Sequence, residues 1–401
     1  MSLPEAFDPD VLALPLFDAA HRTLADEIGQ WCADRAKAWA GLDTTDPAAA
    51  GRGMLAELGQ AGWLRHLGPD RPGCDIGSGR PDRDIRSGQP DRDIRSLCLR
   101  RQALAYHEDL ADFGYSIQEL TAAAIARHGT DEQRRRHLPG LAAGTSAGAL
   151  ALSESGAGSD LAAVALEATP DGDGFVLNGT KAWIAQGDIA DVCVVLARTG
   201  DGPGPLGLTT FLVDCAAPGF GAEPIGAIAP RSWASLTFTD FRAGPETVLG
   251  ERGQGLVVAL DVLERARATV AAAAIGFARR AFRLALDHAR TRKAYGGRLA
   301  DLQLVRSSLA GMDVKLSAAS LLTARAAWAM DLGLDYAKHS SAAKLYSTEA
   351  AGEIVDAAVQ IFGAAGLVSG SAMERLYRQI RSLRIYEGSS EVIAMTIADA
   401  L

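Results

Sequence analysis

The sequence predicts an α+β chain of several domains, with helices first, a β domain in the middle and a four-helix bundle last. Three observations carry this reading. Apolar residues recur at helical spacing over about residues 16–65 and 97–142, short β-favouring runs broken by Gly, Asp and Asn begin near 146, and alanine-rich helical stretches take over after Gly255. The expected divisions are an N-terminal helical domain over 1–145, a middle β domain over 146–250 and a C-terminal bundle over 251–401. At roughly 150 residues per domain, a chain of 401 residues has room for two or three such bodies.

In the first segment Leu24, Ile28, Trp31 and Cys32 fall at i, i+4, i+7 and i+8, and Met54, Leu55 and Leu58 repeat the pattern. Between the two helical tracts, Pro-Asp-Arg-Asp-Ile-Arg-Ser occurs at 81–87 and again at 90–96, a period of nine. A stretch so rich in Asp, Arg, Gly and Pro cannot bury a core, so 68–96 reads as a mobile surface insertion in which the second copy offers only Ile94 to a core. Removing Gly88 to Ser96 is then expected to change stability by less than about 1 kcal/mol. Phe175-Val-Leu-Asn-Gly, Val192-Cys-Val-Val-Leu, Leu208-Thr-Thr-Phe-Leu-Val and Leu236-Thr-Phe-Thr are spaced for a small antiparallel barrel or sandwich rather than for β-α-β units. Four helical stretches over about 256–291, 301–331, 336–364 and 371–397, joined by short links, read as an antiparallel bundle.

With 48% hydrophobic residues the chain is not of the disordered class, and its 40 Lys plus Arg against 49 Asp plus Glu argue against a nucleic-acid-coating role. Cys32, Cys74, Cys98, Cys193 and Cys215 are odd in number and never in a C-x-x-C pair, so neither a disulfide framework nor a zinc site is suggested. The N-terminus carries acids and prolines where a signal peptide needs a basic start, and no uninterrupted apolar run reaches about 18 residues. The expectation is a cytoplasmic protein with no metal, nucleic-acid or membrane partner.

Three patterns match familiar motifs without their context. Gly144-Thr-Ser-Ala-Gly148 fits G-x-S-x-G, yet the strand follows the serine instead of preceding it. Gly202-Pro-Gly-Pro-Leu-Gly207 fits G-x-G-x-x-G, but its prolines remove donors and a strand follows where a helix N-terminus should bind phosphate. Asn178-Gly-Thr180 is a glycosylation sequon only in a secreted protein.

Ala151-Leu-Ser-Glu-Ser-Gly-Ala-Gly-Ser-Asp160 combines hydroxyls with two glycines, which suits an anion or heterocycle site as well as it suits an ordinary β-turn. Trp183 stands between Lys181 and Gly187, where core packing and a cofactor wall are both open readings. Near the C-terminus, Arg384-Ile-Tyr-Glu-Gly-Ser-Ser-Glu391 sets Glu387 among apolar neighbours and directly before a helix-breaking glycine. A carboxylate leaving helical packing for a cavity suits a general base, because desolvation raises its pKa toward working pH, while a surface glutamate at a helix end is the alternative.

Together these segments resemble the acyl-CoA dehydrogenase family of flavoproteins, continuously from about residue 97 to 398 and in the family's motif order. The decapeptide from Ala151 is similar to the first signature, Asn178-Gly-Thr-Lys-Ala-Trp-Ile to the flavin-covering segment, and Arg292-Lys-Ala-Tyr-Gly-Gly with Gln303 to the dinucleotide clamp. Gln360-Ile-Phe-Gly-Ala-Ala-Gly, Glu374-Arg-Leu-Tyr-Arg and Ile385-Tyr-Glu-Gly-Ser-Ser-Glu are similar to the second signature.

The resemblance implies an acyl-CoA dehydrogenase-like fold, FAD as cofactor and a homotetramer in which a neighbouring subunit completes the dinucleotide site. It implies that Glu387 removes the proton α to a thioester carbonyl while hydride passes from the β carbon to flavin N5, giving a trans-2,3-enoyl thioester. Electrons would then pass to an electron-transferring flavoprotein or to oxygen. Position by position, Ser153, Trp183 and Ile184 look like flavin contacts. Arg292, Tyr295, Gln303, Gln360, Gly363, Ser389 and Glu391 match dinucleotide contacts. Ser159, Glu264, Arg267 and Gly388 match the acyl-CoA and thioester site, Glu264 and Arg267 sharing a helical face at i and i+3. Some members place the base on the earlier helix, where this chain has Ala266, which cannot serve.

The chain departs from the family's pattern at Ala185, where Ser or Thr usually meets flavin N5, at Ser155, which replaces a proline, and over 68–96. Acyl chain length is not legible. An oxidase or dehydrogenase of a carrier-protein-bound acyl or aminoacyl group, and a non-catalytic FAD-binding scaffold, are the alternatives to acyl-CoA oxidation.

Overall fold

Helix boundaries in this chain follow from capping chemistry. In the computed structural model, which describes residues 5–68 and 93–401, the first helices are α1 (Pro9–Leu12), α2 (Ala19–Ala40), α3 (Pro47–Gln60), α4 (Ile94–His107), α5 (Asp109–His128) and α6 (Asp131–Ala143). At α2 the Asp18 carboxylate accepts from the Ala20 and His21 N–H groups while His21 answers the Asp18 N–H, which closes a capping box. Thr130 and Gln133 form a second box at α6, and Gly144 ends that helix at φ 67. Gly144 is therefore a helix cap, in keeping with its exclusion as a nucleophile elbow.

Eight strands follow: β1 (Gly148–Ala151), β2 (Glu167–Asp171), β3 (Gly174–Ala185), β4 (Val192–Arg198), β5 (Leu208–Asp214), β6 (Phe220–Pro224), β7 (Trp233–Ala243) and β8 (Val248–Leu249). They form one sheet in the order β6-β7-β3-β2-β4-β5-β8, with β1 on β4. The sheet is mixed, which corrects the antiparallel expectation: β1 runs parallel to β4 from Gly148 opposite Val192 to Ala151 opposite Val195. The cause is connectivity, since the β2–β3 hairpin lies between them and returns the chain to the same end. β4 is buried almost throughout, so it is an unbroken apolar run without alternation.

The last third holds α7 (Gly255–Thr291), the hairpin β9 (Lys293–Ala294) and β10 (Gly297–Arg298), α8 (Gln303–Asp331), α9 (Ala337–Phe362), α10 (Ala372–Ile380) and α11 (Ser390–Ala398). The stretch expected to be one helix over 371–397 is instead two, α10 and α11, separated by a 3₁₀ turn (Arg381–Arg384) and by Glu387 and Gly388 at φ 55 and 94. Residues in the left-handed region cannot continue a right-handed helix. Among the described residues one stretch, Ala337–Leu367, has the length and mean hydropathy of a membrane span. Its helical part, α9, packs against α8, α10 and α11.

By contact the described chain forms two compact units, one of residues 5–41, 93–112 and 264–401, the other of 42–68 and 113–263. This division differs from the three sequence segments because α2 packs on α4 and α4 on α8, which places early helices with the C-terminal bundle. In that unit the core is built largely of alanine, with Ala273, Ala274, Ala278 and Ala281 against Leu316, Ile354 and Val355. A Cβ on Gly276 would lie 2.4 Å from the Gln102 carbonyl oxygen, so α7 and α4 touch backbone to backbone only because that residue is glycine. In the other unit, Leu177, Val195, Phe211, Phe238 and Phe241 fill the interior of the sheet, and Gln118 ties α5 to β1 by donating to the Leu141 and Ser146 carbonyls and accepting from the Gly148 N–H.

The end of the repeat corrects a second expectation. Residues 69–92, with Cys74 and the first copy, lie outside the described residues, but the last four residues of the second copy start α4. Asp93 caps the helix at the Ser96 N–H (2.7 Å) and meets His21 Nε2 at 2.8 Å. Ile94 is 2% exposed and Ser96 is fully buried. Buried Asp331 accepts from the Ile94 N–H at 2.6 Å, the Arg95 N–H at 3.3 Å and Arg95 Nε at 2.6 Å. Composition misled here because each charge finds its partner on a helix remote in sequence. Because deleting Gly88 to Ser96 would bring the identical Asp84-Ile-Arg-Ser87 directly before Leu97, the packed role is tested by Arg95→Met, which should cost at least ~3 kcal/mol by leaving the buried Asp331 carboxylate without its cation. Urea unfolding checks this, and a wild-type midpoint would restore the surface-insertion reading.

Candidate functional site

In the sheet-bearing unit, β3 shifts register against β7 between Leu177 and Gly179 and again between Lys181 and Ile184. At the second shift Trp183 has φ 58, with Gln186 at φ 59 just beyond. Left-handed backbone costs a residue other than glycine about 1–2 kcal/mol, so something must hold it. The bulge turns the Trp183 indole outward to 51% exposure and leaves Ile184 buried.

Lys181 supplies the hold. Its wholly buried ammonium donates to the Leu152 carbonyl (2.9 Å) and to Glu154 Oε1 (2.8 Å). Glu154 also accepts from the Ala165 N–H at 2.8 Å and the Leu166 N–H at 2.9 Å. The Ala182 N–H donates to the Ser153 carbonyl at 3.0 Å, so the turn carrying Ser153 is fastened to the strand carrying Trp183 and Ile184. Burial pulls the Lys181 ammonium down to about 8 against the opposing field of Glu154. Burial pushes the Glu154 carboxyl up, but Lys181 and the two amides outweigh it and hold it below the usual range. Ser155 and Ser159 are exposed around this turn. Ala185 pairs with Trp233 in register and brings no hydroxyl. A flat exposed indole on backbone fixed to the turn of Ser153 suits the face of a fused heterocycle.

The helical unit carries a second constellation. Glu387 stands between α10 and α11 with Oε2 shut off from solvent. On α7, Arg267 donates through Nη1 to Ser341 Oγ at 3.0 Å, and its buried Nε–H has no hydrogen-bond partner among the described residues. Burial draws the Arg267 guanidinium down, and Glu264 and Glu387 oppose it. Ser340 Oγ donates to the Glu264 carbonyl at 3.2 Å, which joins α9 to the same turn of α7. Ala266 is buried and places no carboxylate there.

The same unit holds a buried ion pair. Arg101 grips Asp112 with Nε and Nη2, both at 2.9 Å, and reaches Thr269 Oγ1 at 3.1 Å. Burial works against the Arg101 cation, but Asp112, followed by Tyr386 and Glu387, more than restores it.

The residues expected to clamp a dinucleotide are mostly exposed and fall in two places on the bundle. His288 stacks on Phe362 at 4.3 Å and 17°, which brings the end of α7 with Arg292 to the end of α9 with Gln360 and Gly363. Tyr295 and Gly296 turn the β9–β10 hairpin at φ 51 and 81, and Tyr295 is 93% exposed. Gln303 opens α8, and Ser389 caps α11 with Glu391 in its first turn. The structure thus groups Glu387, Gly388, Glu264 and Arg267, brings Arg292 to Gln360 and Gly363 at the end of α9, leaves Ser389 and Glu391 with Glu387 beside the first half of α9, and fastens the turn of Ser153 to the strand of Trp183 and Ile184.

Sequence reasoning missed Lys181, Glu154, Lys344, Arg101 and Asp112. The one available signal was charge placed among small or apolar residues, as Lys344 is after Ser340-Ser-Ala-Ala.

The family profile described as acyl-CoA dehydrogenase, middle domain, matches residues 149–241, and that described as acyl-CoA dehydrogenase, C-terminal domain, matches 253–401. A 3-(aryl)acrylate reductase of Clostridium sporogenes is 40% identical over 68% of this chain and 73% of its own length. The human mitochondrial short-chain specific acyl-CoA dehydrogenase is 38% identical over 70% of this chain and 69% of its own. A glutaryl-CoA dehydrogenase from Mycobacterium smegmatis, solved in complex with FADH2, superposes at TM-score 0.82 and 26% identity, covering 100% of this chain and 97% of that one. Fold and matches define an oxidoreductase of the class that acts on CH–CH groups. Within that class the chain belongs to the acyl-CoA dehydrogenase family, which is FAD-dependent.

Replacing Lys181 with Met should destabilise the protein by ~3 kcal/mol, because it leaves the Glu154 carboxylate buried without its cation. Denaturant unfolding measures this, and a loss under ~1 kcal/mol would mean that Glu154 and Lys181 do not fasten the turn.

Proposed function

We propose that the protein carries out FAD-dependent α,β-dehydrogenation of an acyl thioester, acyl-CoA to trans-2,3-enoyl-CoA, with Glu387 as base. The supporting observation is a carboxylate held on a left-handed turn between two helices, one oxygen shielded from water, facing Arg267 and Lys344. Shielding from water removes hydration that a carboxylate must otherwise shed before it takes a weakly acidic proton.

FAD, when bound, supplies the hydride acceptor. The outward indole of Trp183, with Ser153 and Ile184, fits one wall of its ring system, and Arg292, Tyr295, Gln303, Gln360, Gly363, Ser389 and Glu391 would hold the dinucleotide. Glu387 takes the proton from the carbon α to the thioester carbonyl. The Glu387 backbone N–H, beside Gly388, would donate to the thioester oxygen as charge builds there, which is where a fixed donor contributes most. Ser159, Glu264 and Arg267 would contact the acyl-CoA. Exposed apolar side chains on the bundle, including Leu304, Val314, Leu367 and Met395, suit burial in a homotetramer. Electrons would leave to an electron-transferring flavoprotein, in a cytoplasmic setting.

The Clostridium sporogenes relative is named a reductase, so the same CH–CH chemistry run in the reducing direction is the second reading. In that direction protonated Glu387 would return the proton to the α carbon.

The purified protein is expected to be yellow with about one FAD per chain. A colourless protein that takes up no added FAD would end this reading. Glu387→Gln should keep FAD and assembly while slowing flavin bleaching by acyl thioesters at least ~10²-fold. Bleaching at the wild-type rate would move the base elsewhere, with Glu264 tested next, and a wild-type flavin that no acyl-CoA or carrier-protein thioester bleaches would leave a scaffold role.

A further inference from the structure

Lys344 faces Glu387 but is given no step of its own in the reaction outlined above, yet it is wholly buried in the first half of α9 beside fully buried Ser340, Ser341 and Ala343. Its Nζ donates to the carbonyl oxygen of Gly388 at 2.6 Å, one residue past Glu387. Burying an ammonium is costly unless something compensates it, so its partners show what it does.

Glu387 and Gly388 are consecutive left-handed residues. Upstream the turn is anchored by the Ile385 and Tyr386 N–H groups, which both donate to the Ser382 carbonyl at 2.9 and 3.2 Å. Downstream it is anchored by Ser389, whose Oγ accepts from the Val392 N–H at 3.5 Å. Between these anchors, Lys344 ties the strained peptide to α9 with a charge-assisted bond, about twice as strong as a neutral one.

The charges facing Lys344 come from every side. Burial pulls its ammonium down to about 8; Glu387 opposes this most, Arg267 on α7 adds to it, and Glu349 on α9 and Glu391 on α11 oppose it less. Glu349 is already neutralised by Arg384, which reaches it through Nε at 2.9 Å and also through Nη2. Glu391 is exposed to water. Glu387 is therefore the principal counter-charge of Lys344.

We propose that Lys344 is a positioning residue for the base: through the Gly388 carbonyl it holds the turn that presents Glu387, and its ammonium is the cation against which the Glu387 carboxylate is set. The link to rate rests on the proposed role of Glu387; the coupling of the two groups does not.

The test uses the FAD-loaded protein and its Lys344→Met and Lys344→Arg variants. Infrared titration follows the Glu387 carboxyl, its band identified by disappearance in Glu387→Gln, and stopped-flow bleaching by butyryl-CoA is followed against pH. Lys344→Met should raise the Glu387 titration midpoint by about one pH unit, since a nearby cation favours the carboxylate, and slow bleaching about tenfold at neutral pH. Lys344→Arg should keep the midpoint and abolish the inflection of the bleaching profile near pH 8, because arginine stays ionised there. A midpoint unmoved in Lys344→Met overturns the proposal. If that variant does not assemble, Lys344→Arg decides, and an inflection that survives in it overturns the proposal. Wild-type bleaching by Glu387→Gln would instead refute the base assignment while leaving the carboxyl titration as the test of Lys344.

Discussion

Left-handed backbone at a residue that bears a side chain is unfavourable, and the chemistry proposed for this chain is built on two such residues. Trp183 interrupts β3 and Glu387 separates α10 from α11. Either segment, relaxed, would lose its special direction: Trp183 would rejoin the pleat and Glu387 the helix. The surrounding structure must over-determine both positions.

It does so in each unit with a fully buried lysine that donates to a backbone carbonyl, Lys181 standing two residues before the strained Trp183 and Lys344 bonding one residue past the strained Glu387. Lys181 reaches the Leu152 carbonyl and Lys344 the Gly388 carbonyl. Each lysine is drawn down to about 8 by burial and opposed chiefly by one glutamate, Glu154 or Glu387. The two differ in what the glutamate does next. Glu154 spends its remaining capacity on two amides and is structural, whereas Glu387 keeps an oxygen in a dry space facing Arg267.

Helix, strand and helix succession was legible in the sequence because each segment is long and strongly periodic. Glu387 was legible because a glycine follows it. The mixed sheet was not, since β1 is four residues long and nothing in Gly148–Ala151 specifies a parallel partner 44 positions on. The start of α4 was misread because the acids and arginines of the repeat look solvated until His21 and Asp331 arrive from elsewhere in the chain. Lys181 and Lys344 escaped notice for a related reason: a lysine in a sequence is a surface residue by default, and only its depth in the fold shows otherwise.

The alanine-built bundle has a thermodynamic corollary. Alanine has no side-chain rotamers to freeze, so packing Ala273, Ala274, Ala278 and Ala281 sacrifices little conformational freedom. It also removes less apolar surface from water than leucine or phenylalanine would. The helical unit should accordingly unfold with a smaller heat-capacity increment per residue than the phenylalanine-rich sheet, and its stability should vary more gently with temperature.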